Sequence, residues 1–404
     1  MYRLLSSRSG LIKDLKIDLN ASRTETTARS IQYMYEGTPT TQSGTFTMTT
    51  ISLKSAFEGT GNANNGYRSA SFTNFCNSLS AFRDRVESQY IGSKYPSTSI
   101  LAGQNFDPSN GTVDKYSADV MIPAFLANYT SGSSLTSALS IFPALSKVLP
   151  NWTIHYSGLS RLAWFRDHFK SVNINHSYKS IYAVGSYSSY SSYMEYMNDL
   201  GFVTNTTTGN PVPSSMYNVS TVSINEAFSP LLGVDLTFNN NMTCKLEYKS
   251  TRVLSLSMTS VQINEATSHD WVIGMGYKIN DFKLFGDGAR KKVRSSNNTK
   301  NNNTVNKNAT KTSGGGMNND LNLRLDISFR KQASITRDIA TITSDASSGN
   351  NALKIAFSAD YTLSKLLTLS AYYDRQTNTP LLSSSSYPTT TQDFGFSMKF
   401  SLTR

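Results

Sequence analysis

The feature that most constrains this chain is a side-chain alternation of period two that recurs along its length. Leu321, Leu323, Leu325, Ile327 and Phe329 alternate with Asn322, Arg324, Asp326 and Ser328. Leu353, Ile355, Phe357, Ala359 and Tyr361 alternate with Lys354, Ala356, Ser358 and Asp360, and Phe394, Phe396, Met398, Phe400 and Leu402 with Gly395, Ser397, Lys399 and Ser401. The same pattern holds for Met242, Cys244, Leu246 and Tyr248, and for Trp271, Ile273, Met275, Tyr277 and Ile279. Neighbouring side chains of a strand point to opposite faces, so each segment has one apolar and one polar face. Weaker strands fit near 14–20, 44–54, 152–158, 170–187, 230–239 and 367–375. Helical spacing is confined to Phe72–Tyr90, 117–127 and 139–148. The expected fold is all-β and antiparallel, with about eleven strands and a short helical insertion.

Strands of about nine to eleven residues match a tilted bilayer crossing, whereas ordinary strands average about five or six. The apolar positions carry Leu, Ile, Phe and Met, with Tyr248, Trp271, Tyr277, Tyr361 and Tyr373 expected near strand ends. Asn239–Asn241 and Leu363–Lys365 read as tight turns, and 331–351 and 377–391 as long polar loops. Short turns at one end and long loops at the other mark an outer-membrane barrel, with the short turns periplasmic. The expectation is therefore a transmembrane β-barrel, or about eleven strands of a larger one. Residues 1–58, 151–280 and 320–404 would supply wall strands, and 59–150 a partly helical extracellular or luminal insertion. Residues 281–319, with Lys283, Arg290, Lys291, Lys292 and Arg294 among Asn and Gly repeats, read as a flexible basic linker.

Composition narrows the class further. The 404 residues hold 38 Lys+Arg and 27 Asp+Glu, a formal charge of +11, yet only 16% are charged against about 25% in a typical soluble domain. With 22 Tyr and 20 Phe, the chain is too aromatic for a charge-rich disordered tail. The longest apolar stretch, Val120–Ala127, is too short for a spanning helix. The N-terminus has no signal-peptide h-region, so an exported protein would need a front end beyond this sequence.

No chemistry of catalysis emerges. His155, His168, His176 and His269 have no ligand spacing, and Cys76 and Cys244 no CxxC or Cys/His pattern, so no metal, cofactor or catalytic residue is expected. There is no GxSxG elbow, and Gly274-Met275-Gly276 lacks the third glycine of a dinucleotide site. The 290–294 cluster has no interleaved aromatics, which favours a solvated linker over nucleic-acid binding.

Several stretches carry a more specific resemblance: Pro150–Leu159, Asn175–Ser180, Tyr182–Ser186, Glu226–Asp235, Leu246–Lys249, Leu254–Ser257, Asp320–Arg324, Ser358–Tyr361, Tyr373–Arg375 and Phe394–Phe400, with Asp119–Ala127 upstream. In this order they resemble the C-terminal region of the SprA/Sov family, the outer-membrane translocon of the type IX secretion system in Bacteroidota. Residues 1–60 agree less well. The resemblance implies the cell outer membrane as location and a passive conduit in gliding motility and protein secretion. It implies as partners outer-membrane lipid, cargo proteins bearing type IX C-terminal signals, a PorV-type shuttle protein and a periplasmic plug protein. Family members are much longer, so this chain would be a C-terminal piece of a larger barrel or one part of a split gene. Two other readings stand beside it. One is the barrel part of a porin or TonB-dependent transporter, the other a secreted β-sandwich adhesin.

Overall fold

The computed structural model describes residues 2–9, 13–31, 40–132, 134–135, 140–197, 200–280, 282, 319–364, 367–382 and 387–401. The described chain is mostly β. Its strands are β1 (Tyr2–Ser9), β2 (Leu15–Ser30), β3 (Thr41–Thr49), β4 (Asn151–Tyr156), β5 (Phe169–Ser189), β6 (Tyr193–Met197), β7 (Leu200–Thr204), β8 (Pro211–Ser214), β9 (Tyr217–Phe238), β10 (Met242–Ser257), β11 (Gln262–Ile279), β12 (Asp320–Asp338), β13 (Thr343–Ser364), β14 (Leu367–Pro380) and β15 (Thr389–Phe400). The helices are α1 (Leu53–Ala56), α2 (Ala70–Ser88), α3 (Ala118–Tyr129) and α4 (Ala163–His168).

Twelve strands form one antiparallel sheet in the order β1-β2-β3-β5-β9-β10-β11-β12-β13-β14-β15, with β4 also paired to β2 and β5. Strands β3 and β4 occupy successive halves of one strand position. The upper half of β2 pairs with β3 (Arg23↔Met48) and its lower half with β4 (Leu19↔Trp152), and β5 repeats the arrangement on the other side. Residues 50–150 thus leave the sheet part-way along one strand and re-enter it in line. Here "upper" denotes the end carrying the turns 258–261 and 339–342. Among the described residues β1 and β15 do not pair with each other, so the sheet has two edges.

The excursion contains the helical insertion expected at 59–150 but begins earlier. Strand β3 ends at Thr49 and α1 begins within the strand expected over 44–54, so 50–58 is not part of the sheet. The elements of the excursion form for local reasons. Ser69 caps α2 by accepting from Phe72 N, and Phe72, Phe75, Cys76, Leu79 and Phe82 bury one side of that helix. In α3 every residue from Val120 to Ala127 is buried, as an all-round apolar helix must be. The third expected helix, 139–148, does not form. Residue 139 lies outside the described residues, and beyond it only a 3₁₀ turn, Leu145–Lys147, is present. Pro143 explains this, because it donates no hydrogen bond and pushes Phe142 out of the helical region. A second excursion between β5 and β9 makes the small sheet β6-β7-β8, whose Phe202 packs against Tyr90, Tyr95 and Phe106 of the insertion.

The loop lengths correct the expected short-turn/long-loop asymmetry. Residues 331–351 are not a loop: β12 and β13 stay paired from Asp320↔Thr362 to Asp338↔Thr343 and reverse over 339–342. Strand β14 likewise runs to Pro380, which leaves 381–388 as its link to β15. The Ser/Thr/Asn composition mimicked a loop, but an antiparallel ladder needs only backbone groups, and polar side chains do not end it. Short turns therefore occur at both ends. Asn239–Asn241 is as tight as expected, with Asn241 at φ 66, a conformation Asn tolerates. The second expected tight turn is only partly described, since Lys365 lies outside the described residues, as do 283–318 of the basic linker.

Candidate functional site: a sheet with two unlike faces

Strand register brings the alternating segments into one surface. Tyr248 stands opposite Trp271, Trp271 opposite Phe329 and Phe329 opposite Leu353. Lower down, Met275, Leu325, Phe357, Tyr373 and Phe394 form a row, and Ile279, Leu321, Tyr361, Leu369 and Met398 another. The band continues through Val234 and Leu236 of β9, Val172 and Ile174 of β5, and Trp152, Ile154 and Tyr156 of β4, to Leu15, Ile17 and Leu19 of β2. From Leu321 to Phe329 it measures about 26 Å along the strand, at about 3.3 Å per residue. Many of its large side chains are left accessible: Trp271 is 46% exposed, Phe357 40%, and on β15 Phe394, Phe396, Met398 and Phe400 range from 60% to 85%, whereas Val172 and Tyr361, the latter packed against Phe282, are buried.

The band is inclined to the strands. On β4 its centre is Ile154; on β14 and β15 it has moved down, and Arg375 faces Gln392 where Ile273, Ile327 and Ile355 stand on neighbouring strands. With about 3.3 Å per residue and about 4.8 Å per strand, this drop corresponds to a strand inclination of about 30° against the band's short axis. Aromatic side chains concentrate at its upper margin. Trp152 stacks on Tyr178 and Tyr248 on Trp271, each pair with centroids 4.5 Å apart. Tyr277 and Tyr361 lie toward the lower margin, while Tyr248, Trp271 and Tyr373, all expected near strand ends, lie well inside β10, β11 and β14, Tyr373 paired with Phe357 and Phe394 in mid-band.

The opposite face is polar and many of its charges are paired, although Lys179 and Lys399 have no ion pair among the described residues and Asp393 stands opposite Asp374. Lys245 and Lys249 flank Glu247 at 2.9 and 3.0 Å, Arg324 meets Asp326 at 2.6 Å, Arg330 meets Asp270 at 2.6 Å, and Lys278 meets Asp320 at 2.8 Å. Lys16–Asp18 and the longer Lys354–Asp374 contact continue the pattern. Gly274 and Gly276 are on this face, and a Cβ at Gly276 would come within 2.6 Å of Thr243 Oγ1, so these glycines serve close packing.

Above the band, the apolar face is covered by the insertion, and the cover is fastened by buried charge. Glu226 and Arg252, 3% and 7% exposed, pair at 2.7 Å. Arg252 donates to Ser55 O (2.6 Å) and Ser55 Oγ (2.9 Å), while Glu226 Oε1 accepts from Ser52 Oγ and Tyr178 OH, both at 2.8 Å. Arg337, fully buried, pairs with Glu265 at 2.6 Å and donates to Tyr67 O and Ser344 Oγ, with Phe72 beneath its guanidinium. Each pair joins sheet to insertion, so the insertion sits on the apolar side of the sheet and not on the polar one. Sequence reasoning placed charges on the polar faces and missed these four. The signal was present: Glu226 is in phase with Ile224 and Phe228, and Arg252 with Leu254 and Leu256. A charge in phase with an apolar stripe must be paired by something that covers the stripe.

The residues weighed for chemistry are dispersed. His155 bonds Asn175 on the polar face, and His168 stacks on Trp164. His176 accepts from Trp152 Nε1 at Nε2, so its Nδ1 carries the proton donated to Leu231 O. His269 lies between Tyr248 OH and Ser250 Oγ. Cys76 is buried in α2, where loss of solvent pushes its thiol up to about 11; Cys244 is half-buried in the apolar band. Among the described residues no group of three or more His, Cys, Asp or Glu could hold a metal. Residues 290–294 lie outside the described residues. Compared with known proteins, the chain matches no family model and no curated protein.

Proposed function

We propose that this sheet is wall material of an outer-membrane β-barrel that conducts proteins, the C-terminal region of a type IX translocon of the SprA/Sov kind. The observation that carries the membrane part of this reading is the inclined apolar band. Its span of about 26 Å along the strand, inclined by about 30°, gives a height of about 23 Å, close to the roughly 25 Å lipid-facing belt of outer-membrane barrels, and its inclination approaches their roughly 35–45° strand tilt. A β-sandwich would place a second sheet about 10 Å from the apolar face. Among the described residues the band below the insertion has no such cover.

The translocon part rests on the ordered sequence resemblance and on the character of the polar face. A polar surface on which most lysines and arginines have acidic neighbours offers a passing protein no apolar patch and only a weak field of one sign to adhere to. Energy input is not built into such a wall; it lets cargo pass. Two edges in hydrocarbon would leave backbone groups unpaired, so the wall is completed by further strands, from a longer chain or from a partner.

The test is photo-crosslinking in cells. A photoreactive residue at Ser358, on the polar face, is expected to capture secreted proteins bearing type IX C-terminal signals, while one at Phe357 captures lipid or membrane neighbours. Absence of protein adducts at Ser358, with the chain present in the outer membrane, would favour a small-solute pore and remove the translocon.

A further inference from the structure

We propose that the segment 158–170, which links β4 to β5 and includes the first two residues of β5, is an interfacial anchor that seats the lower end of the wall in the headgroup layer of an anionic bilayer. The proposal rests on the membrane reading above and adds to it a site and a ligand chemistry. Leu162 and Trp164 of this segment are 54% and 63% exposed. Trp164 is supported from below: it stacks on His168 at 5.1 Å and meets Phe165 edge-on at 4.9 Å, and Phe169 packs on Phe238 at 4.6 Å. Phe169 and Phe238 close the lower margin of the apolar band just beyond Val172 and Leu236. The aromatic cluster is therefore the continuation of the band at its lower end.

Charge selects the partner. Arg166 is exposed, and among the described residues its only ion pair is a loose 3.9 Å contact with Asp167; Lys170 is exposed beside Asn241 at 3.5 Å. Arg161 is held by Asp14 at 2.7 Å, which ties the segment to the start of β2 and fixes its height. A rigidly placed Trp and Leu with accessible cations alongside fits the bilayer interface, where an indole sits at headgroup level and arginine and lysine reach lipid phosphate. A protein partner would meet a patch whose apolar part ends flush with the band, so lipid covering the band covers the patch as well. The upper margin has Trp152 and Trp271 at the corresponding level, so the two margins together set the depth of the wall.

The test uses the chain in its native outer membrane, labelled with a bimane fluorophore at single introduced cysteines in a Cys244→Ser background. Quenchers are a stearate with its nitroxide near the carboxyl, a stearate with its nitroxide near the methyl end, and aqueous iodide. At Trp164→Cys the carboxyl-end nitroxide should quench several-fold more than the methyl-end one, and at Phe357→Cys the order should reverse. Quenching at Trp164→Cys by iodide alone, with Phe357→Cys still quenched by lipid, overturns the anchor and leaves the membrane wall standing. Failure of both positions to respond to either stearate overturns both. Should Trp164→Cys disturb assembly, Leu162→Cys, which leaves the indole in place, reads the same layer and decides in the same way.

Discussion

At the scale of single residues, which face a side chain occupies decides what a charge does there. Phe357 and Ser358 are neighbours in sequence but face opposite sides of β13, Phe357 in the mid-band row between Leu325 and Tyr373. Lysine on the lipid face of a barrel costs about 2–4 kcal/mol near the midplane. Phe357→Lys should therefore sharply reduce the membrane-assembled fraction, and Ser358→Lys, beside Arg324 on the polar face, should leave it near that of the parent. Heat-modifiability on a gel reads both. Equal tolerance would remove the lipid-facing assignment. The buried cysteine follows the same reasoning: Cys76, with its thiol pushed up by burial, is a packing residue in α2 and not a nucleophile.

At the scale of elements, the strands were legible and their ends were not. Four of the five strongest alternating segments lie wholly within strands and the fifth does so up to Phe400, with Leu402 outside the described residues, because a half-buried sheet writes period two into its sequence. The extensions 331–338 and 343–351 were invisible, since their stabilisation comes from backbone pairing and not from a stripe. The span 217–229 of β9 was missed for a related reason: Glu226, a charge at a covered position, interrupts the apolar pattern. Helices α2 and α3 were legible by their spacing, but which face they cover depends on pairs far apart in sequence, Ser55 with Arg252 and Tyr67 with Arg337. Removing one partner of a buried ion pair costs about 3–5 kcal/mol, since the other charge is left unpaired in a poor solvent. Arg337→Ala is thus expected to loosen the insertion from the wall and speed proteolysis within 57–118, while β12 and β13 remain protected. Unchanged cleavage there would show that the ion pairs do not fasten the insertion.

At the scale of the whole molecule, one sheet has two unlike faces, which in the proposed reading meet two different solvents. The apolar face carries an inclined band with aromatic margins, and the polar face carries charges that are largely paired with their neighbours. The candidate site was partly readable, because alternation announces two unlike faces. The inclination of the band was not, because it emerges only when register aligns the strands. The most direct measurement is an alternate-residue cysteine scan of β12 from Leu321 to Phe329 in native outer membrane, probed with a membrane-impermeant maleimide. The account predicts labelling at Asn322, Arg324, Asp326 and Ser328 and protection at Leu321, Leu323, Leu325 and Ile327, with protection lost after detergent denaturation. Equal labelling of both sets, or protection that is lost on mild salt extraction, would contradict a lipid-facing band.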